Sequence, residues 1–340
     1  MKLLFKAEGG DDAKVNATNF KNHYPEVNGS TEFSEIKSRI RQATTLSIIP
    51  YLGLKMYNKL ANDYETDDLA EENSEIINLL QDAIAHYTIY VSLPYMPFIV
   101  SSTGFQKSQP TEGATAPSFG ERKDTRWNAH LDADRFLDEA LKMLENTEGE
   151  YFQPYRDHVA TNFKTSTFFK TANALDDHLN IQGSRRALAA LVPYLKKSEE
   201  SEIEPLLGEE LFAKLQETGV NTVEKGLLKL VRKFVAQNGL YESVPFLTLV
   251  VESDGFKIVS RGDGIEERNG LKHAQHENAI LRLRDAAKEN ALQYKIELMS
   301  YLWKNKEALP LWKTSDYYVS LTTNNIQQRI ITTGDGGVFL

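Results

Sequence analysis

The stretch "IIPYLGLKMYNKL", Ile48 to Leu60, returns as "IEPLLGEELFAKL", Ile203 to Leu215, 155 residues later. Six of the 13 positions are identical, and Met56 and Tyr57 become Leu211 and Phe212, so the apolar character is kept as well. Gly29-Ser30 returns as Gly183-Ser184, and the stripe Ile76, Ile77, Leu80, Ala83, Ile84 returns as Leu227, Leu228, Val231, Phe234, Val235. "SLPYMPFIVSSTGF" from Ser92 returns as "SVPFLTLVVESDGF" from Ser243, and Pro154 has a looser counterpart in Pro310. The shifts drift only between 151 and 156 residues, as small loop insertions would produce. They define a tandem duplication, with one copy near 23–160 and the other near 177–318. Solenoid units run roughly 20–50 residues, so a period this long makes each copy a small domain in its own right.

Within the first copy, Phe33, Ile36, Ile40, Ala43 and Ile48 recur at helical spacing after Ser30, an N-cap residue type. Pro50 lacks the N–H that would continue the helical ladder, and Gly53 permits a turn that a side chain would obstruct. Leu54, Tyr57 and Leu60 then start a second helix, which makes a helix–Pro–turn–helix corner. A long third helix ends at Pro94, or at Pro245 in the second copy. "FIVSSTGFQ" and "FLTLVVESDGFKIV" read as pairs of short strands around a turn, with Asp254-Gly255 the stronger hairpin signal. A polar loop over about 106–125 leads to a last helix from about Trp127 to Asn146. Its equivalent runs from about Leu271 to Trp303, with Leu283, Ala287, Tyr294, Leu298 and Leu302 on one face.

The expected fold is therefore mainly α, a doubled four-helix bundle in which each copy carries one protruding β-hairpin. Pro50, Gly53, Pro94, Gly104, Pro205, Gly208, Pro245 and Gly255 are its fold-defining repeat residues. The expected organisation is an N-terminal arm at 1–22, the first copy at 23–160, a linker helix and second copy at 161–318, and an extended tail at 319–340. The linker, "TNFKTSTFFKTANALDDHL", reads as helical and partly packed. The tail loses helical periodicity and runs through Gly-rich sequence to Val338, Phe339 and Leu340, which suits an arm docking on a neighbouring molecule.

The chain has no cysteine, which excludes disulfides, thiolate metal sites and cysteine nucleophiles together. A net charge of −9 argues against a dedicated nucleic-acid grip, and Arg185-Arg186 and Lys196-Lys197 read as solvated helix faces. No apolar run has the length of a secretory leader or a membrane span, so the expected compartment is the cytosol of the producing cell, with no membrane. His273 and His276, beside Glu277, place two imidazoles on one helix face, but a metal site needs a third ligand and a supporting shell. "RGD" at Arg261 to Asp263 sits among glycines that serve turns, and the carboxylates of "KKSEESEIEPLLGEE" read as dipole partners at helix starts. Phosphate-loop, dinucleotide and nucleophile-elbow motifs are absent from the sequence. The two copies share packing and turn residues and no reactive group, so the expectation is a structural protein with no catalytic residues, cofactor or metal.

The I-x-P-x-L-G-x-x-[LM]-[YF]-x-x-L corner, the helix ending in "SLP" before an x-G-F hairpin, and the join "GSRRALAALVPYLKK" resemble an uncharacterised family. That family is encoded among the structural genes of Bacteroidetes phages and prophages, and the resemblance covers roughly residues 23–318. A single copy resembles the small helical connector proteins that form a ring beneath the portal of tailed phages. The resemblance implies a head-completion or neck adaptor in the virion, made in the cytoplasm of the bacterial host. It implies a homo-oligomeric ring, commonly dodecameric, that meets the portal protein on one side and the tail or a second neck protein on the other. Genomic DNA would pass through the lumen without sequence-specific contacts, and an acidic lining would let it slide. Candidate partner contacts are Gly104, Phe105, Asp254, Gly255 and Phe256 on the hairpins, and Val338, Phe339 and Leu340 in the tail. Three rival readings stand beside it: a tail terminator or another ring of a phage tail or contractile injection machine, a cytosolic helical adaptor with no virion role, and an enzyme with an unrecognised site whose best candidate group is His273, His276 and Glu277.

Overall fold

The computed structural model describes residues 2–5, 19–25, 33–66, 70–93, 98–101, 104–107, 119–162, 168–216, 221–247, 249–252, 255–258 and 270–323. It is mainly helical and divides into two compact units, Met1–Lys164 with Ser184–Arg186, and Thr165–Gly183 with Ala187–Leu340. In the first unit α1 (Phe20–His23), α2 (Phe33–Ala43), a π-helical turn (Thr44–Ile48), α3 (Ile49–Leu52) and α4 (Leu54–Thr66) precede α5 (Glu71–Ser92). Strands β1 (Phe98–Ser101) and β2 (Gly104–Lys107) pair antiparallel, and α6 (Phe119–Asn146) and α7 (Gln153–Asn162) follow.

After α8 (Ala172–Asp176) the same order returns. It runs α9 (Arg185–Ser198), a π-helical turn (Glu199–Ile203), α10 (Glu204–Leu207), α11 (Glu209–Lys214), α12 (Thr222–Ser243), β3 (Leu249–Glu252), β4 (Gly255–Ile258) and α13 (Gly270–Lys304). Helices α14 (Pro310–Lys313) and α15 (Asp316–Thr323) close the second unit. Phe98 pairs with Lys107 and Leu249 with Ile258, so the two strand pairs share one register.

The corner is more continuous than proline alone would allow. In an α-helix the Pro50 ring would meet the carbonyl four residues back. The chain instead widens into the π-helical turn just before it, and Pro50 sits in the first turn of α3, where no N–H is needed. The wider turn also explains the five-residue step from Ala43 to Ile48, because both remain fully buried. Pro205 repeats this arrangement after Glu199–Ile203.

The break comes three residues after each proline. Gly53 has φ 82° and ψ 140°, and Gly208 has φ 80° and ψ 152°, a region essentially reserved for glycine. The N–H of Gly53 donates to Ile49 and its carbonyl accepts from Tyr57; Gly208 does the same with Glu204 and Phe212. Space is closed as well as conformation. A Cβ on Gly53 would stand 2.6 Å from His158 Cγ, and one on Gly208 would stand 2.7 Å from Ser315 Cβ. His158 Nε2–H donates to the Pro50 carbonyl at 2.9 Å, and Trp312 Nε1–H donates to the Leu206 carbonyl at 3.0 Å. In each unit the last helical segment is thus seated against the proline–glycine corner.

Each unit has its own apolar core. The first gathers Ile40, Leu52, Met56, Leu60, Leu80, Ile84, Leu137 and Leu141, and the second Leu191, Leu195, Leu207, Val231, Val235, Leu298, Leu302 and Trp312. The stretch read as an N-terminal arm contributes Leu4, Phe5 and Phe20 to the first core. It is tied there by backbone acceptors: the Tyr57 hydroxyl donates to the Lys2 carbonyl at 3.2 Å, and the Gln81 amide donates to that of Leu4. Burial pushes the Tyr57 phenol up to about 12, against its hydrogen bonds with Thr44 and Leu4.

Within its described part the linker is helical at Thr161 and Asn162, which end α7, and in the short α8, capped by Thr171, while Phe168, Phe169 and Leu175 fill the second core. The polar loop is shorter than expected, since α6 already starts at Phe119 and Gln106 and Lys107 lie in β2. The tail starts later than expected, because α15 runs through Thr323. Helix α12 opens with a reciprocal capping box between Asn221 and Glu224 that the apolar pattern does not signal.

Replacing either corner glycine tests these geometries. Gly53→Ala and Gly208→Ala should each lose about 1–3 kcal/mol from backbone strain alone, with the close approach of His158 or Ser315 adding to it. Gly149→Ala, at φ 124° with nothing near its Cβ, should lose less. Urea unfolding of the three variants checks this ranking, and an unchanged Gly208→Ala midpoint would contradict it.

Candidate functional site

The densest polar constellation among the described residues lies in the first unit, where α5 and α6 pack together and Ser184–Arg186 join them. Asp134 and Asp138 stand one turn apart on α6, so both carboxylates lie on one face of that helix. Arg186 spans them, with Nη1 2.8 Å from Asp134 Oδ1 and Nη2 3.0 Å from Asp138 Oδ2. The Ser184 hydroxyl donates to the same Asp138 oxygen at 2.9 Å, and the Tyr87 hydroxyl of α5 donates to Asp134. His130 stacks on Tyr90 at 4.6 Å, with its Nδ1 3.5 Å from Asp134. Further along α6, Glu145 meets Arg185 Nη1 at 3.0 Å.

All of this is largely out of water. Arg185 is 2% and Arg186 9% exposed, so the reading of this pair as a solvated helix face is overturned. The guanidinium groups meet carboxylates of a helix 40 to 52 positions earlier in the chain, which no local pattern could reveal. Lys197 is exposed, as expected, and pairs with Glu242 at 2.6 Å, whereas Lys196 is half-buried.

Electrostatics follow the burial. Desolvation opposes the Arg186 cation, but Asp138, Tyr87 and Asp134 together hold its pKa well above the ordinary value. Desolvation raises Asp138, with Arg186 and Ser184 pulling the other way. Burial lifts the Tyr87 and Tyr155 phenols above their usual range, and nearby carboxylates add to it. With both carboxylates engaged by a guanidinium, the cluster is suited to gripping an arginine in fixed geometry and not to moving protons.

The residues singled out from sequence lie elsewhere. Pro50, Gly53, Pro205 and Gly208 build the two corners, and Pro245 follows α12 in an exposed turn. Gly104 and Gly255 open β2 and β4 opposite Ser101 and Glu252, and Phe105 and Phe256 pair with Val100 and Val251. Ser30, Pro94, Asp254, the Arg261–Asp263 tripeptide and Val338, Phe339 and Leu340 lie outside the described residues. His273, His276 and Glu277 lie on α13, and their side chains are outside the description. Of the acidic run, Glu204 lies in the first turn of α10 and Glu209 and Glu210 in that of α11, as expected of dipole partners, while two others have different roles. Glu199 is buried inside the π-helical turn and accepts the Phe168 N–H at 3.3 Å, and Glu202 pairs with Lys295 at 2.6 Å.

Among the described residues no cluster of three or more His, Asp or Glu is placed to hold a metal ion. No described helix is long and apolar enough to cross a membrane.

Residues 48–162 and 203–321 each match one family of unknown function, DUF6712. The chain belongs to the DUF6712 family. Comparison with curated proteins and with solved structures returned no match. Each DUF6712 stretch begins at the last residue of a π-helical turn, Ile48 or Ile203, so the proline–glycine corner opens both. Asp134, Asp138 and Glu145 fall inside the first DUF6712 stretch, whereas Ser184, Arg185 and Arg186 fall between the two.

Removing the guanidinium while leaving the carboxylates should be costly. Arg186→Met is expected to lose about 3–5 kcal/mol, the usual cost of a buried charge left without its partner. The loss has a definite pH sign. Asp138 is raised in the fold already, and without Arg186 it rises further. A carboxyl whose folded pKa exceeds its unfolded value stabilises the fold while protonated and destabilises it as pH rises through the folded pKa. The difference in Tm between Arg186→Met and the parent chain should therefore be larger at about pH 8 than at about pH 5. The triple variant Asp134→Leu/Asp138→Ile/Arg186→Met should recover most of the loss, and a triple variant as unstable as the single one would contradict this account.

Proposed function

We propose that the protein is a structural component of a tailed-phage particle, a head-completion or neck adaptor assembling as a homo-oligomeric ring between portal and tail. The observation that carries this reading is what the two copies keep and what they change. Both keep the π-helical turn, the proline, the left-handed glycine, a long helix and a strand pair in one register. The buried arginine–carboxylate cluster sits in the first unit, and the residue facing the corner glycine is histidine in one and serine in the other. Backbone architecture is thus the common property of the two copies, and a scaffold is what such duplication preserves.

On this reading each copy is one connector-like four-helix unit with a β-hairpin. A heterologous ring uses two different surfaces of each subunit and closes when the rotation permits. The strand pairs holding Gly104, Phe105, Gly255 and Phe256 would meet the portal or the tail, and an acidic chain suits a conduit for DNA that must not bind it. Mass photometry and negative-stain microscopy of the full chain, alone and with the portal protein of the same particle, test the proposal. Rings of one stoichiometry seated on the portal are expected. A chain that stays monomeric at micromolar concentration and ignores the portal, or that caps tail tubes instead, would overturn it.

A further inference from the structure

Each strand pair is a sheet of two strands only, β1 with β2 and β3 with β4. Every described strand therefore has one described neighbour and one outer edge, a row of backbone N–H and C=O groups that a further strand can pair with. A lone two-stranded ribbon is marginal in water, and a third strand or more is the usual unit of stability. The two strands of each pair differ in composition. β1 reads "FIVS" and β3 "LVVE", three apolar residues in a row that occupy alternate faces, as in a strand inside a sheet. β2 reads "GFQK" and β4 "GFKI", each with a lysine, a residue that edge strands use to block further pairing. In both copies the strand with interior composition stands at an edge.

Register decides which strand completes the sheet. Cross-strand partners share a face, so Leu249 and Ile258, with Val251 and Phe256, occupy one face of the second ribbon. Phe98 and Lys107, with Val100 and Phe105, occupy the matching face of the first. Setting β1 antiparallel to β3, with Phe98 opposite Val251, Ile99 opposite Val250 and Val100 opposite Leu249, makes these faces continuous. A slip by one residue puts them on opposite sides. Ile99 and Val250 are also equivalent positions of the 151-residue repeat. Their N–H and C=O groups thus bear the same relation to the outer edge, as an antiparallel ladder requires of opposed residues. The resulting order, β2–β1–β3–β4, keeps the apolar strands inside and Lys107 and Lys257 on the flanks. Within one chain β1 and β3 belong to separate sheets, so the completing strand comes from a second copy. α13 runs beside β3, but a helix spends its backbone groups internally and leaves that edge to be paired.

We infer that copies of this chain join by strand addition, β3 of one molecule pairing antiparallel with β1 of the next. Each chain has one edge of each kind, so the joint repeats head to tail, as a heterologous ring requires. The inference rests on the homo-oligomer of the proposed function and names its joint; the turn ends of the ribbons stay available to portal or tail. The absence of cysteine permits a direct test in the full chain. Ile99→Cys and Val250→Cys chains, mixed and oxidised, should form a disulfide-linked dimer at least about tenfold faster than Ile99→Cys mixed with Val251→Cys, whose cysteines occupy opposite faces. Equal rates would overturn the register, and a dimer formed as readily by Ile99→Cys alone would mean that β1 pairs with itself; either overturns the inference. A second variant needs no engineered bond. Ile99→Lys/Val250→Lys should raise the concentration needed for assembly at least about tenfold with Tm unchanged, as read by mass photometry. Assembly of this variant at the parent concentration would overturn the joint and leave the ring standing, whereas a parent chain that never assembles, with or without the portal, would overturn both.

Discussion

In both units the chain turns at a glycine with φ near 80°, and another side chain stands where a Cβ would be. Two constraints coincide there. The backbone conformation excludes other residues, and the closeness of His158 or Ser315 fixes where the last helical segment sits. The proline three residues earlier forces the preceding turn to widen, which rotates the face that α3 and α10 present. Given those fixed angles, the short helices can pack against the long ones, and the apolar stripes of α5 and α12 find their partners on α6 and α13. The corner is local in sequence, yet it decides the tertiary arrangement of each unit.

This locality is why so much of the scaffold was legible. Helical periodicity located α2, α4, α5 and α12, and the internal match located the second copy without further information. The π-helical turns escape that reading, which counts the five-residue step from Ala43 to Ile48 as helical spacing. Boundaries failed where they depend on contacts with distant chain. Leu4 and Phe20 lie beside polar sequence, and only the core they fill shows that they belong to it. The buried cluster failed for the same reason. Asp134 and Asp138 at a four-residue step resemble any solvated helix column, and two adjacent arginines resemble any basic patch; only their meeting makes a site.

The comparison of the two copies also separates what the fold requires from what it tolerates. A buried arginine held by two carboxylates has to be fully satisfied or it destabilises its surroundings. Membership of DUF6712 covers both copies and assigns no chemistry to either, in keeping with a family whose shared features are turns and packing.

Assigning Ser184–Arg186 to the first unit has a consequence for synthesis. A nascent chain emerges from its N-terminus, so α6 and its carboxylates leave the ribosome well before the arginines that neutralise them. Until then Asp134, Asp138 and Glu145 can close into an apolar interior only as protonated acids or at the cost of bare buried charge. The first half of this polypeptide therefore cannot mature on its own schedule. Its final compaction waits for the opening residues of α9, which ties the timing of one half to the translation of the other.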